Sequence, residues 1–224
     1  PAGWTGGSTS DFGDLTRALY YTAGGSNGTI GLMGQGHRSD TVTHFNSQVE
    51  KFTIASDANA TVAGQGDNCG TDISVCGTLT KSFWSGGYCG AFVDTISEFT
   101  YASLGDSDDA GNLSQARSSG AAESGSTEAR VILAFGGTVG TATTEINYIN
   151  PASSGDGQDF GDYTGAKAGG SSGDGTYMVT VGNKNIAGAT QDDVNHITIA
   201  STGNATFVGG ICPHNKAEGA QWAA

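Results

Sequence analysis

Two stretches, Gly24-Gly25-Ser26-Asn27-Gly28 and Gly169-Gly170-Ser171-Ser172-Gly173, carry the G-x-S-x-G spacing of a serine nucleophile on a sharp turn. That chemistry needs a strand before the serine and a helix after it, so that the hydroxyl is lifted clear of the sheet. Neither stretch is followed by a helical pattern, and both read as flexible Gly/Ser-rich loops between strands. Gly105 to Asn112 (GDSDDAGN) has the D-x-D start and later glycine of a calcium loop, but Arg117 stands where the loop's closing Glu should be. The Asp106–Asn112 segment reads as an acidic surface turn, with calcium left open. His37, His44, His196 and His214 show no spacing that converges metal ligands. Seven aromatics (Tyr20, Tyr21, Trp84, Tyr88, Tyr101, Tyr163 and Tyr177) have faces that suit the C–H faces of sugar rings. Large apolar residues are scarce, so most of the seven are needed for a core, leaving one or two for binding. No residue is assigned a catalytic, cofactor-binding or metal-ligating role, and a non-enzymatic protein without a cofactor is expected.

Cys69, Cys76, Cys89 and Cys212 contain no C-x-x-C pair. Cys69 with Cys76, Cys76 with Cys89, and four reduced buried thiols all stay open. Asn27, Asn59, Asn112 and Asn204 head N-x-S/T sequons. Two of them recur at matching places in a repeat, so turn geometry accounts for them.

Charge narrows the partners. The chain has 9 Lys+Arg against 22 Asp+Glu, a net charge of −13. A nucleic-acid reader needs a cationic face to displace counterions from phosphates, and an anionic membrane repels so acidic a surface. No apolar run is long enough to span a bilayer as a helix. Gly supplies 38 of 224 residues, which disfavours long helices, because glycine costs about 1 kcal/mol per helical site. The chain starts at Pro1 with neither an initiator Met nor a signal peptide, which reads as processing or as part of a longer chain. Acidity, few lysines and Ser/Thr/Asn/Gly-rich loops point to an extracellular or particle-surface location.

The elements that would position any site emerge from internal self-similarity. VEKFTIAS (Val49 to Ser56), ISEFTYAS (Ile96 to Ser103), INYINPAS (Ile146 to Ser153) and VNHITIAS (Val194 to Ser201) start 47, 50 and 48 residues apart. An apolar run ending in glycine precedes each octamer: Thr29 to Gly36, Ser82 to Tyr88, Val131 to Gly137 and Tyr177 to Asn183. A third segment accompanies them, clearest as FGDLT at Phe12 and FGDYT at Phe160, weaker at Thr61, Ala110 and Thr206. β-Branched and aromatic residues bounded by Gly, Asn, Asp and Ser predict strands. The unit holds at least three of them in about 49 residues, the length of a propeller blade. Lys51, Glu98, Tyr148 and His196 share one octamer column, which predicts a solvent-tolerant position.

The expected fold is all-β: a small β-propeller of four to five blades forming a single domain over residues 1–224. The extra GWTGG at Gly3 to Gly7 and the extra strand at Phe207 would let the termini complete one reduced blade; four blades with loose tails, or part of a larger ring, are the alternatives.

VILAFGGTVGTATTEINYINPAS (Val131 to Ser153) resembles a kelch repeat. Together with TIASTGNAT (Thr198 to Thr206) and DFGDLT (Asp11 to Thr16), the pattern is similar to kelch-like repeats in virion structural proteins of marine tailed phages, cyanophages above all. The resemblance implies a virion-surface part (fibre, spike or decoration) in an oligomeric assembly. It would contact other virion proteins or a host cell-surface glycan through its loops, with no nucleic acid and no membrane insertion. The alternative is a secreted glycan-active enzyme or lectin on the same scaffold.

Overall fold

The computed structural model describes residues 11–38, 45–118, 127–134, 137–138, 141–163, 167–184 and 190–210. Four antiparallel sheets follow one another along the chain. Sheet 1 comprises Ala23–Ser26, Ile30–Gly34, Gln48–Thr53 and Thr61–Gln65; sheet 2 comprises Ser74–Gly77, Lys81–Ser85, Thr95–Thr100 and Asp108–Asn112. Sheet 3 comprises Val131–Ala134, Glu145–Ile149 and Gln158–Asp162; sheet 4 comprises Lys167–Gly173, Tyr177–Lys184, Thr190–Thr198 and Thr206–Gly210. Each is a meander in which consecutive strands pair. Two short ribbons, Leu19–Tyr20 with His37–Arg38 and Gly137–Thr138 with Thr141–Ala142, complete the described strands.

The expected strands are present. The octamers supply the third strand in sheets 1, 2 and 4 and the middle strand of sheet 3. Only their first halves are extended, however. The closing Ala-Ser lies in a turn, where the N–H groups of Ser56, Ser153 and Ser201 each bond the carbonyl three residues back at 3.2 Å. The unit holds four strands in sheets 1, 2 and 4, because a further first strand precedes the apolar run.

The sheets stack side by side, and neighbouring residues explain how. In a strand, successive side chains leave opposite faces. In sheet 2, Trp84 and Phe99 enter a core shared with Leu32 and Val49 of sheet 1. Phe83 and Ile96 enter a second core with Val131, Leu133 and Ile149 of sheet 3. Ile132 and Ile146, on the opposite face of sheet 3, meet Met178 and Ile197 of sheet 4, and Ile199 just after its third strand, in a third core. No sheet therefore has a core of its own. Each of these large side chains, fully buried, contributes on the order of 1.5–3 kcal/mol.

A polar clamp reinforces each stack. The last strand of every sheet carries a register shift against its neighbour, at Val49/Glu50, Asp109/Gly111, Ile146/Asn147 and Val194/Asn195. Such a shift marks a bulge, which bends the strand and re-aims its side chains. The strand then meets the turn that follows the third strand of the next sheet. The N–H groups of Gln65 and Asp162 donate to Oδ1 of Asp106 and Asn204 at 3.0 and 2.9 Å, and that of Asn112 to Asp156 Oδ1 at 3.0 Å. In return the N–H groups of Ser107, Gly157 and Ala205 donate to the carbonyls of Gln65, Asn112 and Asp162 at 2.7–2.8 Å. Residues Phe12 to Asp14 form a fourth copy without being a ladder strand: Asp14 N–H donates to Asn59 Oδ1 at 2.9 Å and its carbonyl accepts from Ala60.

Glycine is required at the contact. A Cβ on Gly161 would lie 2.5 Å from the Gly203 carbonyl, and one on Gly111 would lie 2.5 Å from that of Gly155. Both glycines have positive φ, +142° and +120°, a conformation that side chains disfavour. The sequons at Asn59 and Asn204 are these clamp turns, and Asn27 likewise caps its own turn by accepting the N–H groups of Thr29 and Ile30.

Candidate functional site

Six rings run in a row where loops from sheets 1 and 2 meet. Their order is Tyr21, Tyr20, His37, Phe45, Tyr88 and Phe92, with successive centroids 5.2, 5.1, 4.9, 5.9 and 5.4 Å apart. Most contacts are tilted or edge-on, the geometry favoured by ring quadrupoles. Tyr20 is 45% exposed, Tyr21 67% and Tyr88 38%, while His37, Phe45 and Phe92 are half-buried. The row is thus an apolar strip with wet edges.

The backbone holds it in place from both sides. Tyr20 pairs with His37 across the Leu19–Tyr20 ribbon, and their side chains are joined by a hydrogen bond between Tyr20 Oη and His37 Nδ1 at 3.1 Å. His37 in turn bridges Phe45. Tyr88 bridges both Thr71 and Phe92. Two glycines allow the chains to approach. A Cβ on Gly36 would lie 2.6 Å from the Tyr20 carbonyl oxygen, and one on Gly70 would lie 2.1 Å from that of Tyr88. Gly36 N–H donates to Gly70 C=O at 2.6 Å, joining the two loops directly.

A disulfide next to Tyr88 locks the second half of the row. Cys69 pairs with Cys89, with Cα atoms 5.6 Å apart, inside the usual window for such a bond. Neither pairing expected from the sequence, Cys69–Cys76 or Cys76–Cys89, is formed. Cys76 lies on the first strand of sheet 2, whose alternation turns it into the core against sheet 3, out of reach of the loop where its candidate partners sit. Cys212 lies outside the described residues, as do His44, His214 and the Gly3–Gly7 copy of the GWTGG pattern.

The other singled-out positions are structural. Both G-x-S-x-G stretches begin in the first strands of their sheets, so they are ladder strands and not flexible loops. Asp106 is a clamp acceptor, Asp109 Oδ1 caps the Gly111 N–H at 2.8 Å, and Asp108–Asn112 is a strand. Among the described residues no group of three or more His, Cys, Asp or Glu is placed to hold a metal. Of the seven aromatics, Trp84, Tyr101 and Tyr163 are buried, whereas Tyr20, Tyr21, Tyr88 and Tyr177 are exposed.

The column of Lys51, Glu98, Tyr148 and His196 is not uniformly solvent-tolerant. Glu98 is buried, ion-paired with Lys81 at 2.7 Å and bonded by Ser154 Oγ at 3.1 Å. One residue earlier, Glu50, Ser97, Asn147 and Asn195 are all fully buried. Three of these polar groups reach the segment arriving from the preceding repeat. Glu50 accepts the Thr16 N–H at 2.7 Å and the Thr16 hydroxyl; Asn147 Oδ1 accepts from Ser114 Oγ at 2.9 Å; Asn195 Nδ2 donates to Tyr163 Oη at 2.7 Å. Arg117, also buried, donates to Asn147 Oδ1 at 2.8 Å and to the carbonyls of Leu133 and Glu145. Burial lowers its pKa to about 10, partly countered by the nearby Glu145 carboxylate. These groups therefore serve the joints between sheets.

The fold and this surface define an all-β protein of tandem antiparallel sheets carrying an exposed aromatic strip. No protein-family model matches the chain, and no curated protein is significantly similar to it.

Proposed function

We propose that this chain is a non-enzymatic adhesion module, a kelch-like propeller on the surface of a phage particle, and that the row from Tyr21 to Phe92 binds a glycan. The observation that carries the reading is the row itself. Exposed contiguous apolar surface marks interaction sites. Sugar rings present C–H faces that rest on aromatic faces, while the tyrosine hydroxyls and the His37 ring offer hydrogen bonds at the rim. The row is pinned by a disulfide, a ribbon and two close glycine contacts, so little conformational freedom is lost on binding. The buried carboxylates Glu50 and Glu98 are engaged in hydrogen bonds or an ion pair, which favours binding over catalysis. The stacked sheets support a propeller, with ring closure as the finer part of the proposal. The resemblance to virion proteins supports the particle-surface part of the reading and contacts with other virion proteins.

The test is a panel of bacterial surface polysaccharides presented to the wild type and to the Tyr20→Ala/Tyr88→Ala variant. Binding to at least one polysaccharide, reduced tenfold or more in the variant (about 1.4 kcal/mol), is expected. Equal binding by both proteins would remove the row from the account, and turnover of any polysaccharide would favour the enzyme reading.

A further inference from the structure

The aromatic row offers its faces unevenly. Tyr20 and Tyr21 are exposed at one end, and Tyr88 is exposed towards the other. His37 and Phe45, between them, are half-buried. From Tyr20 the path runs through His37 and Phe45 to Tyr88 in steps of 5.1, 4.9 and 5.9 Å. Phe45 stands across both of its neighbours, with interplanar angles of 70° and 72°. The stacking surface is therefore broken in the middle, and one flat sugar ring cannot lie on Tyr20 and Tyr88 together.

The first platform is held out at a backbone cost. Tyr21 has φ +55°, in the left-handed region that bulky side chains seldom adopt. Strain of this kind persists where the surroundings over-determine it, and it gathers at ligand sites. Packing gives little in return, because the ring leans on Tyr20 at 5.2 Å and is otherwise largely in water. Tyr88 is anchored separately, by its bridges to Thr71 and Phe92 and by the neighbouring Cys69–Cys89 bond. The Gly36 N–H bond to the Gly70 carbonyl ties the two loops, so the spacing between the platforms is fixed before any ligand arrives.

We propose that the row is two platforms, Tyr20–Tyr21 and Tyr88, which together grip an internal stretch of one linear polysaccharide chain instead of a terminal sugar. Each platform alone takes a short saccharide weakly. Once one is filled, the same chain meets the other at an effective concentration in the millimolar range, and the combined affinity exceeds either by about 100-fold or more. The gain requires a chain long enough to cross His37 and Phe45, since it vanishes when both platforms cannot be engaged at once. A repeating polymer presents many internal segments for each chain end, so such a site can land anywhere along it. The inference rests on the glycan reading above and adds the length and placement of the segment bound.

Oligosaccharides of graded length test it. They are cut by partial acid hydrolysis from whichever bacterial surface polysaccharide of the panel binds, and are titrated by calorimetry. Weak binding of the mono- and disaccharide is expected, then a rise of about 100-fold over a narrow step in length, then a plateau. Tyr20→Leu/Tyr21→Gly at one platform, with glycine suited to the left-handed backbone, should cancel the rise. So should Tyr88→Leu at the other, which keeps an apolar side chain between Phe45 and Phe92. Both variants should bind the disaccharide nearly as the wild type does. Full affinity already at the disaccharide would place a terminal sugar on one platform and overturn the two-platform inference while the glycan reading stands. A length step that survives in either variant would overturn it too. Binding of no polysaccharide in the panel would remove the glycan reading, and this inference with it.

Discussion

Asn204 Oδ1 accepts the main-chain N–H of Asp162 at 2.9 Å, and Ala205 N–H returns a bond to the Asp162 carbonyl at 2.8 Å. This reciprocal pair joins sheet 3 to sheet 4, and the same two-bond exchange joins each earlier pair of neighbours. The side-chain half of the exchange is removable. Asn204→Ala is expected to lower stability by about 1 kcal/mol, read as a lower urea midpoint with an unchanged slope. Asn204→Asp should stay close to wild type, since Asp106 and Asp156 fill the role in other copies.

Glycine substitutions separate backbone strain from close contact. Gly161 and Gly175 both have positive φ, but only Gly161 has a neighbouring backbone where its Cβ would go. Gly175→Ala is expected to cost about 1 kcal/mol, from conformation alone. Gly161→Ala should cost about 3 kcal/mol or more, because the sheet 3 to sheet 4 contact must also open. Equal losses in thermal melts would mean that the contact contributes nothing.

The octamers make the repeat legible because their strands carry consecutive buried residues, which puts buried side chains on both faces. The first strands are not legible: AGGS, SVCG and KAGGSSG share no side-chain pattern, since an edge strand of glycine and serine is specified mainly by its ladder. The buried polar column stands one residue before the column expected to be solvent-tolerant. Glu50, Asn147 and Asn195 look like surface residues in the sequence, because the partners that satisfy them lie about thirty residues distant, in the segment arriving from the preceding repeat. The aromatic row escapes for a related reason. Tyr20, Tyr21 and Tyr88 are among seven candidate rings that the sequence does not rank, while His37, Phe45 and Phe92 belong to connecting segments outside the repeat, and no linear spacing brings them together.

Tyr101 gives a pH prediction. Burial in the core between sheets 1 and 2 raises its pKa, with the Ser82 hydroxyl partly offsetting the shift. The folded state therefore holds the proton after the unfolded chain has released it. The corresponding stability is fully present below the unfolded value, about 10, and is lost as pH rises through the raised folded value. Between pH about 9 and about 11, Tyr101→Phe should lose less stability than wild type in urea melts. Parallel losses in the two proteins would show that the phenol titrates normally.

Reduction of Cys69–Cys89 should act on both stability and binding. The bond closes a loop of 20 residues' separation, so its loss is expected to cost about 3 kcal/mol. Cys69→Ser/Cys89→Ser should also weaken polysaccharide binding, because the Tyr88 end of the row loses its anchor. A variant destabilised by that amount, with binding intact well below its melting temperature, would separate the disulfide from the site.

The most direct measurement is amide hydrogen exchange of the wild type with and without a bound surface oligosaccharide. The account predicts added protection concentrated at residues 19–22, 36–38, 45–46 and 86–93, with sheet 4 unchanged. Protection centred on sheet 4, or spread evenly with none at the aromatic row, would contradict it.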